Sequence, residues 1–340
     1  MTDQRLGIKT RRTTLADVAQ LTGVSVGTVS KALNDRDGIS QDTRDAVLAA
    51  AEKLSFRPNS LARGLLSGRT NTVGLLTNDL EGRFSLPMLM GAEDAFGAQQ
   101  LSVFLCDARG DAIREQHYVG SLLDRQVDGI LVVADRANPR PPLTGRIPVP
   151  VVYAYGPSSD PDDVSVITDD VEGGRHGAMH LMDIGRRRLV YIGGDPTYLA
   201  SSQRADGALE ALRSRGLSPV VEPAFGSWTE AWGRQATLMM LDRAPDLDGI
   251  MCGSDQIARG ALDVLREQGR SVPGDIAVIG YDNWRPLAEQ SRPQLSTVDM
   301  NFEELGRTAA RLLFRRLAGE HVEGLHVVTP SLVTRSSTVS

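Results

Sequence analysis

The chain has 340 residues, 41% of them hydrophobic and 24% charged, with a formal net charge of −6. It is too long for one small folding unit and long enough for one or two further domains with sizeable cores. No apolar stretch reaches the ~18–20 residues of a bilayer span, and the polar, basic N-terminus lacks a signal-type apolar core. Cys106 and Cys252 each end an apolar run and read as buried free thiols rather than a disulfide framework. A membrane protein is excluded, and a soluble, cytoplasmic one is expected.

Residues 1–12 are charged and expected to be disordered. From Thr14 to Asn34 the chain reads as helix, tight turn, helix. Leu15, Val18 and Ala19 recur at i, i+3 and i+4, and Thr14 with Asp17 has capping-box spacing. Gly23 supplies the turn, where a positive φ costs least. Ser25 caps a second helix that turns Val29, Ala32 and Leu33 inward. Val26, Gly27, Thr28, Ser30 and Lys31 then project outward: short, hydroxylated or basic, a surface that fits a major groove as a helix-turn-helix requires. Charge supports this reading. Residues 1–71 hold 11 Lys/Arg and 7 Asp/Glu, a net of +4, while the remainder holds 26 and 36, a net of −10. A basic head on an acidic body directs DNA to one end.

A third helix is expected from its cap at Ser40 to Leu54, with Val47, Leu48, Ala51 and Leu54 as its apolar stripe. Pro58 ends helical geometry, and Ser60 to Leu66 is a short helix-capable stretch interrupted by Gly64. From Val73 short apolar runs alternate with amphipathic helices. Val73–Leu76, Leu101–Cys106, Gly129–Val133 and Val149–Tyr153 read as one series of strands, and Leu189–Ile192, Gly249–Cys252 and Ile276–Ile279 as a second. Such alternation implies parallel sheets covered on both faces, here in two subdomains with a cleft between them. The tail Val327–Val333 could return as an added strand.

These residues resemble the lac/purine repressor family of bacterial regulators. The likeness runs from Thr14-Leu-Ala-Asp-Val-Ala through Gly-Val-Ser, Thr-Val-Ser and Phe-Arg-Pro-Asn to Leu65. It continues through Asp128-Gly-Ile, Asp169-Asp, Gly193-Gly194, Arg204, Gly253-Ser-Asp-Gln256, Val272-Pro273 and Ile279-Gly-Tyr-Asp-Asn283. The order and spacing of these patches, from about Thr14 to Arg335, carry the resemblance more than any one of them. It implies an all-α helix-turn-helix head followed by an α/β periplasmic-binding-protein-like body of two parallel-sheet subdomains. The expected organisation is a tail 1–12, a DNA-binding domain 13–58, a hinge helix and linker 59–70, and an effector-binding and dimerisation body 71–340. Within the body, subdomain 1 takes about 71–166 plus 298–328, and subdomain 2 about 167–297 plus 329–340.

The resemblance places base contacts at Val26, Gly27 and Lys31: a thymine methyl, a close approach and a guanine O6/N7 partner. Ser25, Thr28, Ser30, Ser40 and Thr43 would hold phosphates and fix the register. Leu65 would wedge into the minor groove at a flexible base step, with Gly64 weakening the hinge helix by roughly 1 kcal/mol relative to Ala. The family's effector pocket falls on Phe84, Asp169, Arg204, Trp228, Asp255 and Asp282, with Tyr155 a looser match; Asp107 ends a strand nearby. Aromatic faces with carboxylates and a guanidinium suit a sugar. A purine is disfavoured because Tyr198 and Ala200 replace polar residues that a purine-binding member uses near Arg204. Asp255 and Asp282 could instead cap helices, with Arg204 pairing one of them. The expected partners are a palindromic double-stranded operator, a small-molecule effector and a second copy of the chain, with no cofactor and no metal.

Other chemistry finds no footing. Gly23-Val-Ser-Val-Gly27 fits a nucleophile elbow but follows a helix rather than a strand. Gly64-Leu-Leu-Ser-Gly-Arg-Thr70 is one residue short of a phosphate loop and has Arg for Lys. His176 and His180 sit at i, i+4 without a third metal ligand. Asp160-Pro-Asp-Asp163 reads as a solvated turn. The chain is therefore expected to be a regulator and not an enzyme. A global regulator that needs a phosphocarrier protein, or a transporter's solute-binding protein, remain the alternatives, the latter opposed by the head.

Overall fold

The computed structural model describes residues 13–34, 37–56, 69–78, 83–98 and 101–339. Two compact units make up the chain, Met1–Thr70 and Asn71–Ser340. The expected hinge residues Gly64 and Leu65 lie outside the described residues.

The head holds helices α1 (Leu15–Thr22), α2 (Val26–Leu33) and α3 (Gln41–Lys53). Local chemistry fixes all three starts. Thr14 and Asp17 form a reciprocal capping box, and Gly23 ends α1 in the left-handed region at φ 69°. Ser25 and Ser40 accept from the backbone N–H groups of Thr28 and Thr43. Val18, Ala19, Val29, Ala32, Val47, Ala50 and Ala51 form the core. Leu48, expected on the inner stripe of α3, is 48% exposed, and Ala50 is buried instead. The inward set is 47, 50, 51 and 54, which keeps the i, i+3, i+4, i+7 spacing that a residue at 48 breaks.

The body begins with β1 (Thr72–Thr77), α4 (Ser85–Ala98), β2 (Ser102–Asp107), α5 (Ala112–Asp124), β3 (Gly129–Val133), β4 (Val151–Ala154) and β5 (Val164–Thr168). Then follow α6 (Asp170–Asp183), β6 (Leu189–Gly193), α7 (Leu199–Ser214), β7 (Ala224–Phe225), α8 (Glu230–Arg243), β8 (Gly249–Cys252), α9 (Asp255–Glu267) and β9 (Ala277–Tyr281). The chain closes with α10 (Arg285–Ala288), β10 (Ser296–Asp299), α11 (Phe302–Leu317), β11 (Leu325–Val328) and β12 (Ser331–Val333). One sheet has the order β11-β5-β4-β3-β1-β2 and is parallel throughout. The other has the order β12-β10-β9-β8-β6-β7, parallel except that β12 runs against β10.

Both sheets are covered on two faces, which is why their strands read as apolar runs. Leu75 joins one apolar cluster and its neighbour Leu76 another. Three strands, β5, β7 and β10, escape a periodicity reading. In β10 the reason is plain: Ser296 and Thr297 are fully buried, held by Ser337, Thr338 and Asp255 rather than by apolar packing. The expected tail strand is two strands, parted at Thr329-Pro330, and each joins a different sheet.

The chain crosses between subdomains after β5, after β10 and between β11 and β12. Asn301, at φ 53°, ties the last two crossings by donating to Thr329 O at 2.6 Å and meeting the Ser331 hydroxyl at 3.3 Å. No helix among the described residues is long and apolar enough to cross a membrane.

Candidate functional site

In the head, the outward side of α2 carries the residues singled out for DNA. Val26 is 47% exposed, Gly27 and Lys31 are exposed, and Thr28 and Ser30 are half-buried. The hydroxyls work in pairs. Ser25 Oγ lies 2.9 Å from Thr28 Oγ1, and Ser40 Oγ lies 2.8 Å from Thr43 Oγ1, each beside the backbone N–H that it caps. Each pair spends one hydroxyl hydrogen internally and keeps one for an outside acceptor such as a phosphate. Capping and phosphate contact are therefore compatible.

In the body, a cavity of about 310 Å³ opens at the carboxyl ends of the strands of both sheets. Arg83, Phe84, Asp135 and Tyr155 line it from the first subdomain. Tyr198, Ala200, Arg204, Trp228, Gln256 and Trp284 line it from the second. Four of the seven expected effector residues stand in this wall: Phe84, Tyr155, Arg204 and Trp228.

Arg204 is the most constrained of them. It is 1% exposed, donating from Nε to Asp170 Oδ1 at 2.7 Å and from Nη1 to Gly253 O at 2.8 Å. Asp282 Oδ1 is 3.4 Å from Nη1, and the guanidinium lies 3.9 Å from the Tyr281 ring centre. Close helix packing makes this placement possible: a Cβ on Gly174 of α6 would lie 2.0 Å from the Arg204 carbonyl oxygen on α7. Burial pushes the Asp170 carboxyl up and Arg204 pulls it back down; burial outweighs.

The other three expected residues are placed differently. Asp169 caps α6, accepting from Glu172 N at 2.9 Å, and its neighbour Asp170 is the partner of Arg204. Asp255 lies behind the wall, accepting from Thr297 Oγ1 at 2.6 Å and Trp284 N at 2.7 Å. Its carboxyl is pushed up to about 8, first by burial and then by Asp282. Asp282 sits between Arg83, at 3.1 Å, and Arg204. Burial raises its carboxyl while the two guanidiniums oppose the rise. Asp107 accepts from Arg109 N and is not among the lining residues. His176 pairs with Glu172 and His180 with Thr338. No three His, Cys, Asp or Glu side chains among the described residues are grouped to hold a metal ion.

Aromatic rings dominate the rest of the wall. Phe84, Tyr155 and Phe302 form a cluster with centroids 4.9–5.5 Å apart. Across the cavity Trp228 meets Tyr198 edge-on at 5.8 Å, and Gly194 leaves the room, since a Cβ there would lie 2.1 Å from the indole. The buried Trp228 Nε1 has no hydrogen-bond partner. Arg83, Asp135, Gln256 and Trp284 were not among the candidates. Gln256 and Trp284 lie beside the residues Asp255 and Asp282 that were, so position after a strand end was the signal that could have found them.

A helix-turn-helix head joined to a two-subdomain body with a cleft at its strand ends defines a ligand-responsive DNA-binding regulator. Residues 14–59 match the bacterial regulatory proteins of the lacI family, and residues 178–338 match the periplasmic binding protein-like domain. The HTH-type transcriptional regulator CelR of Thermobifida fusca is 35% identical, over 96% of this chain and 98% of CelR. A lac repressor dimer bound to operator and the anti-inducer ONPF has the same fold, with a TM-score of 0.81 at 26% identity, covering 97% of this chain and all of that one. A CelR–cellobiose complex gives 0.66 at 32% identity, covering 96% of this chain and all of that one. The chain belongs to the lacI family, and it is a transcriptional regulator, not an enzyme.

Proposed function

We propose that this regulator is a cytoplasmic repressor that binds a palindromic operator as a homodimer, with an affinity set by a carbohydrate in the cavity. The lining carries the effector class. Five aromatic side chains, Phe84, Tyr155, Tyr198, Trp228 and Trp284, surround two guanidiniums, a carboxylate and a carboxamide. Rings stack on the C–H faces of a pyranose, and Asp135, Gln256 and the unpartnered Trp228 Nε1 exchange hydrogen bonds with its hydroxyls. The likeness to CelR, whose complex holds cellobiose, makes cello-oligosaccharides the first ligands to try.

On the DNA side, Val26, Gly27 and Lys31 read base edges, and Ser25, Thr28, Ser30, Ser40 and Thr43 hold phosphates. A homodimer fits the apolar side chains left exposed on β2, an edge strand, and on α4 packed beside it: Phe104, Leu105, Leu86 and Met90. Two-fold symmetry then matches a palindromic site. Effector and operator affinities are linked reciprocally, each changing the other by the same factor.

The test is a thermal-shift and calorimetric comparison of cellobiose, glucose and purine bases, followed by operator binding with the winning ligand. At 100 times its dissociation constant a ligand stabilises the body by about 2.7 kcal/mol. Cellobiose is expected to bind and to change operator affinity. A purine that binds where sugars do not would overturn the effector class and leave the DNA-binding assignment standing.

A further inference from the structure

We propose that Arg83 is a tie across the cavity that holds the two subdomains together before any effector arrives. Arg83 lies in the turn between β1 and α4, in the first subdomain. Its terminal nitrogens reach into the second: Nη2 is 3.1 Å from Asp282 Oδ2, and Nη1 donates to Gln256 Oε1 at 2.7 Å. The Trp284 ring centre, also in the second subdomain, is 6.0 Å from the guanidinium carbon, and Phe84 flanks it at 4.7 Å. The Arg83 side chain is 12% exposed and that of Asp282 2%, so solvent and salt screen the pair weakly.

Charge makes the tie more than one contact among many. Three buried carboxyls, Asp170, Asp255 and Asp282, face two guanidiniums, Arg83 and Arg204. Without Arg83, Arg204 is the guanidinium left to Asp170 and Asp282, and Asp282 must take up a proton or draw water into the cleft. Other crossings exist: the exposed Arg136 guanidinium lies 4.6 Å from the Tyr198 ring centre, and Asn138 donates to Thr197 O at 3.2 Å and accepts from Leu199 N at 3.1 Å. The Asn138 contact is neutral and both are solvent-exposed, so they hold the cleft less firmly. An effector seated against Arg83 adds to a closure already begun, and Arg83 sets where the open–closed balance rests without ligand. The effector half of this statement rests on the carbohydrate reading; the tie does not.

The experiment uses the full chain without ligand, as wild type, Arg83→Met, Arg83→Lys and Asn138→Ala. Amide hydrogen exchange is followed at residues 253–257 and 281–285, and the radius of gyration by small-angle scattering. Arg83→Met is expected to speed exchange there on the order of tenfold, to raise the radius of gyration and to leave exchange in α1–α3 unchanged. Arg83→Lys restores part of the protection, and Asn138→Ala produces a smaller change. Unchanged exchange in ligand-free Arg83→Met would overturn the tie, even if ligand binding weakened. Should that variant fail to fold, Gln256→Leu removes one of the two bonds without stranding a charge; faster exchange supports the tie and none overturns it. Cellobiose is then titrated. Weaker binding to Arg83→Met is expected, and tighter binding would show that ligand displaces Arg83, overturning the added closure. A wild type that ignores cellobiose defeats only the carbohydrate reading, because the exchange result needs no ligand.

Discussion

The head and the body place their functional residues in opposite ways. In the head, the residues assigned to DNA are exposed or half-buried, and their hydrogen bonds reach three residues along the chain, as from Thr28 to Ser25. Seven small buried side chains hold the three helices, and none of the residues assigned to DNA belongs to that set. In the body, Arg204 is buried, and its partners stand 34, 49, 78 and 96 residues away. A surface that meets a macromolecule can change without touching the fold beneath it. A cavity that encloses a small molecule shares its walls with the core, so altering the site means altering stability.

The largest expected effect tests the buried half of this contrast. Arg204→Met leaves Asp170 and Asp282 without that partner, and breaking a buried ion pair from one side costs about 3–5 kcal/mol. Denaturant unfolding should show the loss, together with an operator affinity that no longer responds to ligand. Stability within 1 kcal/mol of wild type, at about that level of error, would mean that the site and the fold are separable after all. The exposed half predicts the reverse for Lys31→Ala. Unfolding should change by less than about 0.5 kcal/mol, while discrimination at one operator base pair falls by about 1–3 kcal/mol. Binding to randomised operators reads this directly, and an equal loss on every sequence would assign Lys31 to a phosphate. Ser25→Ala lies between the two, since Ser25 both caps α2 and faces outward. It should cost the head about 1 kcal/mol and weaken binding to specific and nonspecific DNA alike.

The same contrast explains what could be read from the amino-acid order. The head was legible almost throughout, because caps, turn and inward stripe are local signals; only Leu48 was misplaced, by one step along its helix. In the body, β3 and β8 fall on the expected residues because they are continuous apolar runs. β10 was not foreseen because its burial depends on hydrogen bonds to residues 337 and 338, far along the chain. The cavity was half legible. Phe84 and Tyr155 follow expected strand ends, whereas Arg204, inside α7, and Trp228, after the unforeseen β7, were placed by the family resemblance. No local signal separates Asp169, which caps, from Asp170, which pairs with Arg204; burial alone distinguishes them. Arg83 was equally invisible, since its partners Gln256 and Asp282 are 173 residues or more away.

The finest test of the contrast is pH. Asp255 faces Asp282, with Arg83 beyond, and accepts from Thr297 and Trp284; its carboxyl sits at about 8. The unfolded carboxyl titrates near its ordinary value of about 3.9. Between these two values the folded chain binds more protons than the unfolded one, so stability falls as pH rises. The penalty is absent below the unfolded value and complete above the folded one. Asp255→Asn keeps an acceptor for the Trp284 N–H and has no proton to lose, so it should remove part of that slope. Between pH 5 and 8, close to three pH units at about 1.4 kcal/mol each, the variant should gain on the order of 3 kcal/mol over wild type, read as a difference between two unfolding curves at each pH. Asp170 and Asp282 are also raised by burial, so some slope persists in the variant. Parallel curves would mean that Asp255 is ionised in the folded chain at neutral pH. In that case Asp255 would stand charged beside Asp282, and the guanidiniums of Arg83 and Arg204 that flank Asp282 would have to offset both carboxylates.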